Sequence, residues 1–341
     1  VKARRRPAPR RGFALVIVLW TLAGLAVVAA AVAATARTAN LNVKLLRDRV
    51  QAEAAFVSTA ARIQAFAATE RIHHSEYGRG KHRLPVDGTV LAVGTDERVL
   101  LQDLRGLVNL NIADPRRVQA LLKACGISDA MAPRLADALA DYVDADSLKR
   151  LNGAEAFDYR AAGLPEPRNA VLLSREELWR VLGWREVRAT WQAAGCDSAV
   201  TVHGDGFVNR NTAPLRVLRA DGISDITAAG LIEARRDGLP SVEMQTSTPE
   251  DRSNPFGFLG GGFVGPAMRV LHSAAWVEWQ WEYVLELTPI RNGGPWRLHE
   301  LRTPARPAPL AHATRELPPA ERVFERDPNA EDAISRPPFL N

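Results

Sequence analysis

Apolar and polar positions change their period along the chain. From Phe13 to Ala36 the residues are uncharged and apolar all round. At 1.5 Å per residue this run makes a helix about 36 Å long, enough to cross roughly 30 Å of bilayer hydrocarbon. No Gly lies between Gly24 and Gly78 and no Pro between Pro9 and Pro85, so the helix is predicted to continue to about residue 70, a length of about 87 Å. In its second half Leu46, Val50, Ala54, Val57 and Ala61 recur at helical spacing. They predict a narrow apolar stripe suited to covering a small domain.

The period then shortens. Residues 84–104 alternate in short runs, Thr89-Val90-Leu91-Ala92-Val93 and Arg98-Val99-Leu100-Leu101, on either side of the turn-prone Gly94-Thr95-Asp96, and read as strands. A second strand-like run, residues 276–287, sets Glu278, Gln280 and Glu282 against Trp279, Trp281 and Tyr283, which predicts one wet and one buried face. Between these runs the sequence is Ala- and Leu-rich and helical. It also repeats: Gly106-Leu107-Val108-Asn109-Leu110-Asn111-Ile112-Ala113 returns as Gly206-Phe207-Val208-Asn209-Arg210-Asn211-Thr212-Ala213, and Gly126-Ile127-Ser128-Asp129 as Gly222-Ile223-Ser224-Asp225. Pro115 and Pro214 prime a helix start, and the later Gly-Ile joins two helices. The expectation is an α+β protein in which a helical unit of residues 105–240 is inserted between strands that pair across it.

Charge refines the picture at the amino terminus. Lys2, Arg4, Arg5, Arg6, Arg10 and Arg11 precede the apolar run with no acidic residue among them. The positive-inside rule then keeps residues 1–12 in the cytoplasm and places the chain beyond about residue 37 outside. The arm's six charges exceed the net +5 of the whole chain and leave residues 13–341 at −1. Bulk charge therefore gives no argument for nucleic acid or acidic lipid as a partner.

Three readings of this terminus compete. A cleaved secretory signal has Ala-x-Ala sites at Ala31-Val32-Ala33 and Ala34-Thr35-Ala36, but its apolar core runs to roughly 7–15 residues, shorter than this one. An ordinary signal anchor is the second. The third rests on Arg10-Arg11-Gly12-Phe13-Ala14-Leu15, which resembles a type IV prepilin leader cleaved after Gly12, where a small residue separates the charges from the helix. Phe13 would then head the mature chain and Ile17 would be its fifth residue. Type IV pilins and most pseudopilins carry Glu there, thought to pair with a neighbouring subunit's amine, which offsets the cost of burying either charge. A subunit with Ile17 lacks that partner and suits a unique end position.

Candidate chemistry is sparse. Asp141, Asp144, Asp146, Asn152 and Glu155 form the densest group of oxygen ligands, of the hard kind calcium takes, although no Gly sits at an EF-hand position. Cys125 and Cys196, the only cysteines, either form a disulfide in an oxidising compartment or stay as buried thiols. They cannot complete a four-ligand zinc site. Gly260-Gly261-Gly262-Phe263-Val264-Gly265 matches Gly-x-Gly-x-x-Gly but follows no strand and opens no helix, so it reads as part of a flexible loop over 240–266. No nucleophile motif or catalytic constellation is present, and neither an enzyme nor an organic cofactor is expected. From about Thr303 the chain is rich in Pro, Arg and Glu and reads as a disordered tail.

The leader, Ile17, the doubled Asn-x-Asn-x-Ala element and Arg168-Asn169 before Glu176-Glu177-Leu178 together resemble the K-type minor pseudopilin of type II secretion systems. The resemblance runs from residue 10 to about 300. It implies a pilin-like fold, a long N-terminal helix packed on an antiparallel sheet, with a large α-helical insertion holding two helix-hairpin-helix or SAM-like repeats. The implied segments are a leader at 1–12, the membrane half of the helix at 13–37, and the amphipathic half with the first strands at 38–104. The insertion follows at 105–240, the loop and last strands at 241–302, and the tail at 303–341. The resemblance further implies cleavage by a prepilin peptidase between Gly12 and Phe13, N-methylation of Phe13, and a single-pass precursor of the bacterial inner membrane with its bulk in the periplasm. It implies I- and J-type minor pseudopilins as tip partners, secreted cargo as a further contact, and calcium in the insertion. The repeat also resembles helix-hairpin-helix units of membrane-anchored, competence-type DNA receptors. Ser128 and Ser224 replace the second hairpin glycine there, and Asp129 and Asp225 would repel phosphate, so no nucleic acid is expected.

Overall fold

The computed structural model describes residues 13–79, 82–236, 262–288, 294–303, 310, 313 and 315–318. The leader with Gly12, residues 237–261 of the expected loop and the tail beyond Pro318 lie outside them. The chain divides into two compact units, Val1–Ala55 and Phe56–Asn341.

Helix α1, Phe13–Thr69, is 57 residues long and, among the described residues, is the one helix long and apolar enough to cross a membrane. Every side chain from Phe13 to Arg47 is exposed. In the second unit the last turns of α1 lie on a sheet. Phe56 stacks on Trp281 with centroids 5.2 Å apart and meets Tyr283 edge-on at 5.3 Å. Thr59, Ala60, Ile63, Phe66 and Ala67 complete the buried face. This corrects the stripe expected from the sequence: Leu46, Val50 and Val57 are 63%, 65% and 63% exposed, and Ala54 and Ala61 are exposed with them. The reason is area. Phe56, Ile63 and Phe66 bury far more apolar surface than Val57 and two alanines, and they decide which face turns inward.

Strands β1 (Glu76–Arg79) and β2 (His82–Pro85) form a separate antiparallel ladder. The main sheet holds β3 (Asp87–Val93), β4 (Glu97–Asp103), β7 (Ala267–Ala274), β8 (Gln280–Leu287), β9 (Trp296–Arg302) and β10 (Arg315–Glu316), in the order β10-β3-β4-β7-β8-β9. All neighbours are antiparallel except β10, which runs parallel to β3 and is fastened to α1 by Arg62, whose guanidinium donates to the Leu317 and Pro318 carbonyls. β4 and β7 pair without a break from Glu97↔Ala274 to Asp103↔Met268. The chain thus leaves the sheet at Asp103 and returns beside the same point.

The expected wet face of residues 276–287 holds at Glu278, which is exposed, and is corrected beyond it. Gln280 is buried, and Glu282 lies beneath Arg175, Arg269 and Arg302. Arg175 comes from the helical insertion, so both faces of the sheet centre are covered, one by α1 and one by the insertion. Burial, and after it the neighbouring Arg175, pulls the Arg269 guanidinium down to about 9, against the pull of Glu282, Glu300 and Asp197.

The insertion contains β5 (Val108–Asn109), α2 (Pro115–Ala124), α3 (Ala132–Val143), α4 (Ala156–Ala161), α5 (Arg188–Ala193), β6 (Val200–Thr201), α6 (Leu215–Ala220) and α7 (Asp225–Arg236). Its core centres on Trp184 and Trp191, edge-on with centroids 5.4 Å apart. Their ring N–H groups donate to the Leu135 carbonyl and the Asp197 carboxylate, which makes burying them affordable. α2 and α6 end alike. Gly126 and Gly222, with φ of +82° and +80°, donate to the carbonyls of Lys123 and Arg219, and Ile127 and Ile223 donate to Leu122 and Leu218. Only Gly takes this left-handed stop without strain. A disulfide joins Cys125, at the end of α2, to Cys196, whose Cα lies 6.2 Å away just before β6.

Candidate functional site

The repeated Asn-x-Asn element is structural chemistry. In each copy the first Asn side chain accepts from the backbone N–H of the second, Asn109 from Asn111 and Asn209 from Asn211, both at 3.0 Å. The side-chain amides then tie distant segments together. Asn111 donates to the Leu172 and Val202 carbonyls and accepts from the Leu172 N–H, while Asn109 donates to the His203 carbonyl. In the second copy Asn209 donates to the His74 carbonyl at 2.8 Å and to Asp103 at 3.1 Å.

Asp103 is the hub where sheet and insertion meet. Its side chain is fully buried. One oxygen accepts from the backbone N–H groups of Arg105 (3.1 Å) and Gly265 (3.0 Å), the other from Asn209 (3.1 Å) and the Thr212 hydroxyl (2.8 Å). Burial pushes its carboxyl above the ordinary value, opposed first by Thr212 and then by the other donors. Tyr77 donates to the Gly265 carbonyl, and Gly262 accepts from Asn211. Residues 262–265, assigned to a flexible loop by their glycines, are therefore pinned by partners far away in sequence.

The acidic group of the insertion is only partly assembled. Asp141, with a fully buried side chain, accepts from the Arg150 guanidinium at 2.8 Å and from its backbone N–H. The same guanidinium nitrogen reaches Asp144 at 2.5 Å. Asp146 accepts from the Leu148 N–H while its carboxylate still acts on Glu155, and Asn152 donates to Asp137 instead. Among the described residues no group of three or more His, Cys, Asp or Glu is arranged around a metal position. Asp144 Oδ1 and Asn169 Oδ1 are buried there without a partner, whereas Glu155 caps α4, its carboxylate accepting from the Asp158 N–H while Asp158 accepts from the Glu155 N–H. Burial, and next the carboxylates of Asp141, Asp144 and Asp146, push the Glu155 carboxyl up. Gly153 is packed so closely on Asp141 that a Cβ would strike the carboxylate. Unpartnered hard oxygens beside an arginine fit a hard cation in chemistry. Asn169, held at φ +47° and bonded to the Asp146 carbonyl, is a member of this neighbourhood that ligand spacing does not signal.

Phe13 and Ile17 lie exposed at the start of α1. At the hairpins, Asp129 pairs with Lys123 at 2.8 Å and Asp225 with Arg219 at 2.6 Å, so carboxylates stand where a phosphate-binding tip would present free donors.

Residues 102–190 match the family model described as type II secretion system, protein K. The match falls on the segment that runs from the end of β4 into α5. No curated protein matches. Among solved structures, the chain is similar to one in the crystal structure of the GspK-GspI-GspJ complex from the enterotoxigenic Escherichia coli type 2 secretion system. That similarity has 17% identity and a TM-score of 0.49, over 76% of this chain and 100% of the other.

Proposed function

We propose that this chain is a minor pseudopilin of a type II secretion system, seated at one end of the pseudopilus. The carrying observation is the protein K match, which falls on the helical insertion that leaves the sheet at Asp103 and returns beside it. The exposed apolar run of α1 supports a membrane anchor, and Ile17 supports an end position, because a greasy side chain replaces the carboxylate of repeating subunits. In this reading residues 1–12 are cytoplasmic and are removed after Gly12 by a prepilin peptidase, Phe13 is N-methylated, and the second unit works in the periplasm. Leu46, Val50 and Val57, all exposed, are the surface on which helices of the I and J types pack. Such packing removes apolar area from water and so drives assembly. No bond is made or broken in this role; the subunit supports assembly of a tip over which folded cargo is exported.

Calcium is the ion this reading assigns to the insertion, with Asp141, Asp144, Asp146 and Glu155 as the carboxylates that would hold it and Asn152, bonded to Asp137, outside them. When bound it would supply positive charge to carboxylates that crowd one another.

The test is co-expression with the host's I- and J-type minor pseudopilins. The wild-type chain should co-purify with both, and V50D/V57D should lose them while keeping its own melting temperature within about 2 °C, since both side chains are exposed. Full co-purification of that variant would contradict the assigned surface.

A further inference from the structure

We propose that β9 is a releasable strap, caught on the helical insertion by Glu300, and that freeing this catch lets β9 leave β8 while the Asp103 hub stays closed. The backbone carries the first observation. β9 is the last strand in the sheet order, and its outer side pairs with no described strand. Its ladder to β8 runs from Leu287↔Trp296 to Val284↔His299 and resumes at Glu282↔Arg302. Glu300 and Leu301 thus stand opposite Tyr283 alone, which is a β-bulge. There Glu300 has φ +51°, a left-handed backbone that strains any residue with a Cβ. The extra residue also re-aims the strand. His299 and Glu300, neighbours in sequence, both turn to His203 of the insertion.

The side chains carry the second. Glu300 Oε1 meets His203 Nε2 at 3.0 Å, and its other oxygen lies 3.9 Å from Arg175 Nε. The His203 ring lies on that of His299, centroids 4.7 Å apart, and His299 Nε2 is 2.7 Å from a Glu286 oxygen. Past the bulge, Arg302 grips Glu176 of the insertion as well as Glu282. Beyond its ladder to β8 the strand is held by these polar ties, since none of its residues is buried and Leu298 and Leu301 are 44% and 50% exposed. Burial pushes the Glu300 carboxyl up, but the His203 bond and charge, and then Arg175 and Arg269, outweigh it and hold the carboxyl below its ordinary value. The carboxylate therefore keeps its charge at neutral and mildly acid pH, and its contribution is lost as pH falls through that lowered value.

The insertion does not depend on the strap. Arg269 of β7 donates to the Asp197 and Val200 carbonyls, and Asp103 keeps its four donors. Opening β9 uncovers Arg175 and Glu282 and makes β8 the edge of the sheet, with the two layers still joined. Arg175 and Glu176 lie inside the segment that matches protein K, so the strap covers part of that segment.

Strain and shallow burial favour the open strap and the catch favours the closed one, so amide hydrogen exchange of the full chain in detergent reads the balance. The β9 amides bonded to β8 should be less protected than those of β7. E300Q should lower their protection at least fivefold further, while the Arg105 and Gly265 amides stay within twofold of wild type. H203Q breaks the catch from the insertion side and keeps the test if E300Q does not fold. It should match E300Q, and the double variant should exchange no more than twofold faster than either. E300G loses the carboxylate but takes the left-handed backbone freely, so its β9 protection should exceed that of E300A at least threefold. Unchanged β9 protection in E300Q and H203Q, or effects that multiply in the double variant, removes the catch. Equal acceleration at Arg105 and Gly265 shows a single cooperative unit and overturns the strap. E300A protected as well as E300G shows an unstrained bulge and overturns the release that rests on it.

Discussion

Replacing Asp103 by Asn isolates what holds the insertion to the sheet. The carboxylate accepts four hydrogen bonds, two from backbone N–H groups and two from side chains. An Asn amide of the same shape offers one acceptor and one donor group, so one pair of partners must meet an N–H instead of an oxygen. Toward Arg105 and Gly265 the clash would orphan two buried backbone donors, at about 1–3 kcal/mol each. Toward Asn209 and Thr212 it is milder. The hydroxyl can turn to accept, and Asn209 retains its bond to the His74 carbonyl. The second orientation wins, and D103N should cost about 1–3 kcal/mol, whereas D103A loses all four acceptor contacts and should cost about 4 kcal/mol or more. Hydrogen exchange at the Arg105 and Gly265 amides reads the local opening directly, with about tenfold faster exchange for each 1.4 kcal/mol. Exchange within twofold of wild type in D103N, or a D103A variant no worse than D103N, would refute the view that this carboxylate clamps the two layers.

Other consequences follow from the same structure. The disulfide closes a separation of 71 residues, for which chain entropy gives about 4 kcal/mol; C125A/C196A should therefore melt well below wild type, and a loss under about 1 kcal/mol would contradict this. Gly106 packs against the backbone of Thr212, where a Cβ has no room. G106A should cost about 1–3 kcal/mol, measured by thermal melting, and an unchanged midpoint would show that the two repeat copies do not pack at this point.

The local rules were legible where one segment decides its own structure. The greasy run at Phe13–Ala36, the β3 and β4 alternation, and the glycine stops at Gly126 and Gly222 are all written in neighbouring residues. The face of α1 was not, because helical periodicity admits more than one stripe and the choice lay with Phe56 and Phe66 meeting a sheet whose strands come from far downstream. Gln280 and Glu282 look solvent-facing from alternation alone, and only the returning insertion, with Arg175, covers that side. The acidic group shows the same limit. Spacing put Asn152 with Asp141 and Asp144, but it donates to Asp137, while Asn169 joins through a contact across 23 residues. The doubled Asn element, read from the sequence as a repeat opening two helical units, also serves as paired brackets for passing backbone.

The amino terminus of the mature protein tests the central claim most directly. Mass spectrometry of the chain purified from its native host should find N-methylated Phe13 as the first residue, and G12W should leave the precursor intact. A chain that keeps Arg10-Arg11-Gly12, or one cut after Ala33 or Ala36, would contradict a trimmed subunit seated at the pseudopilus end.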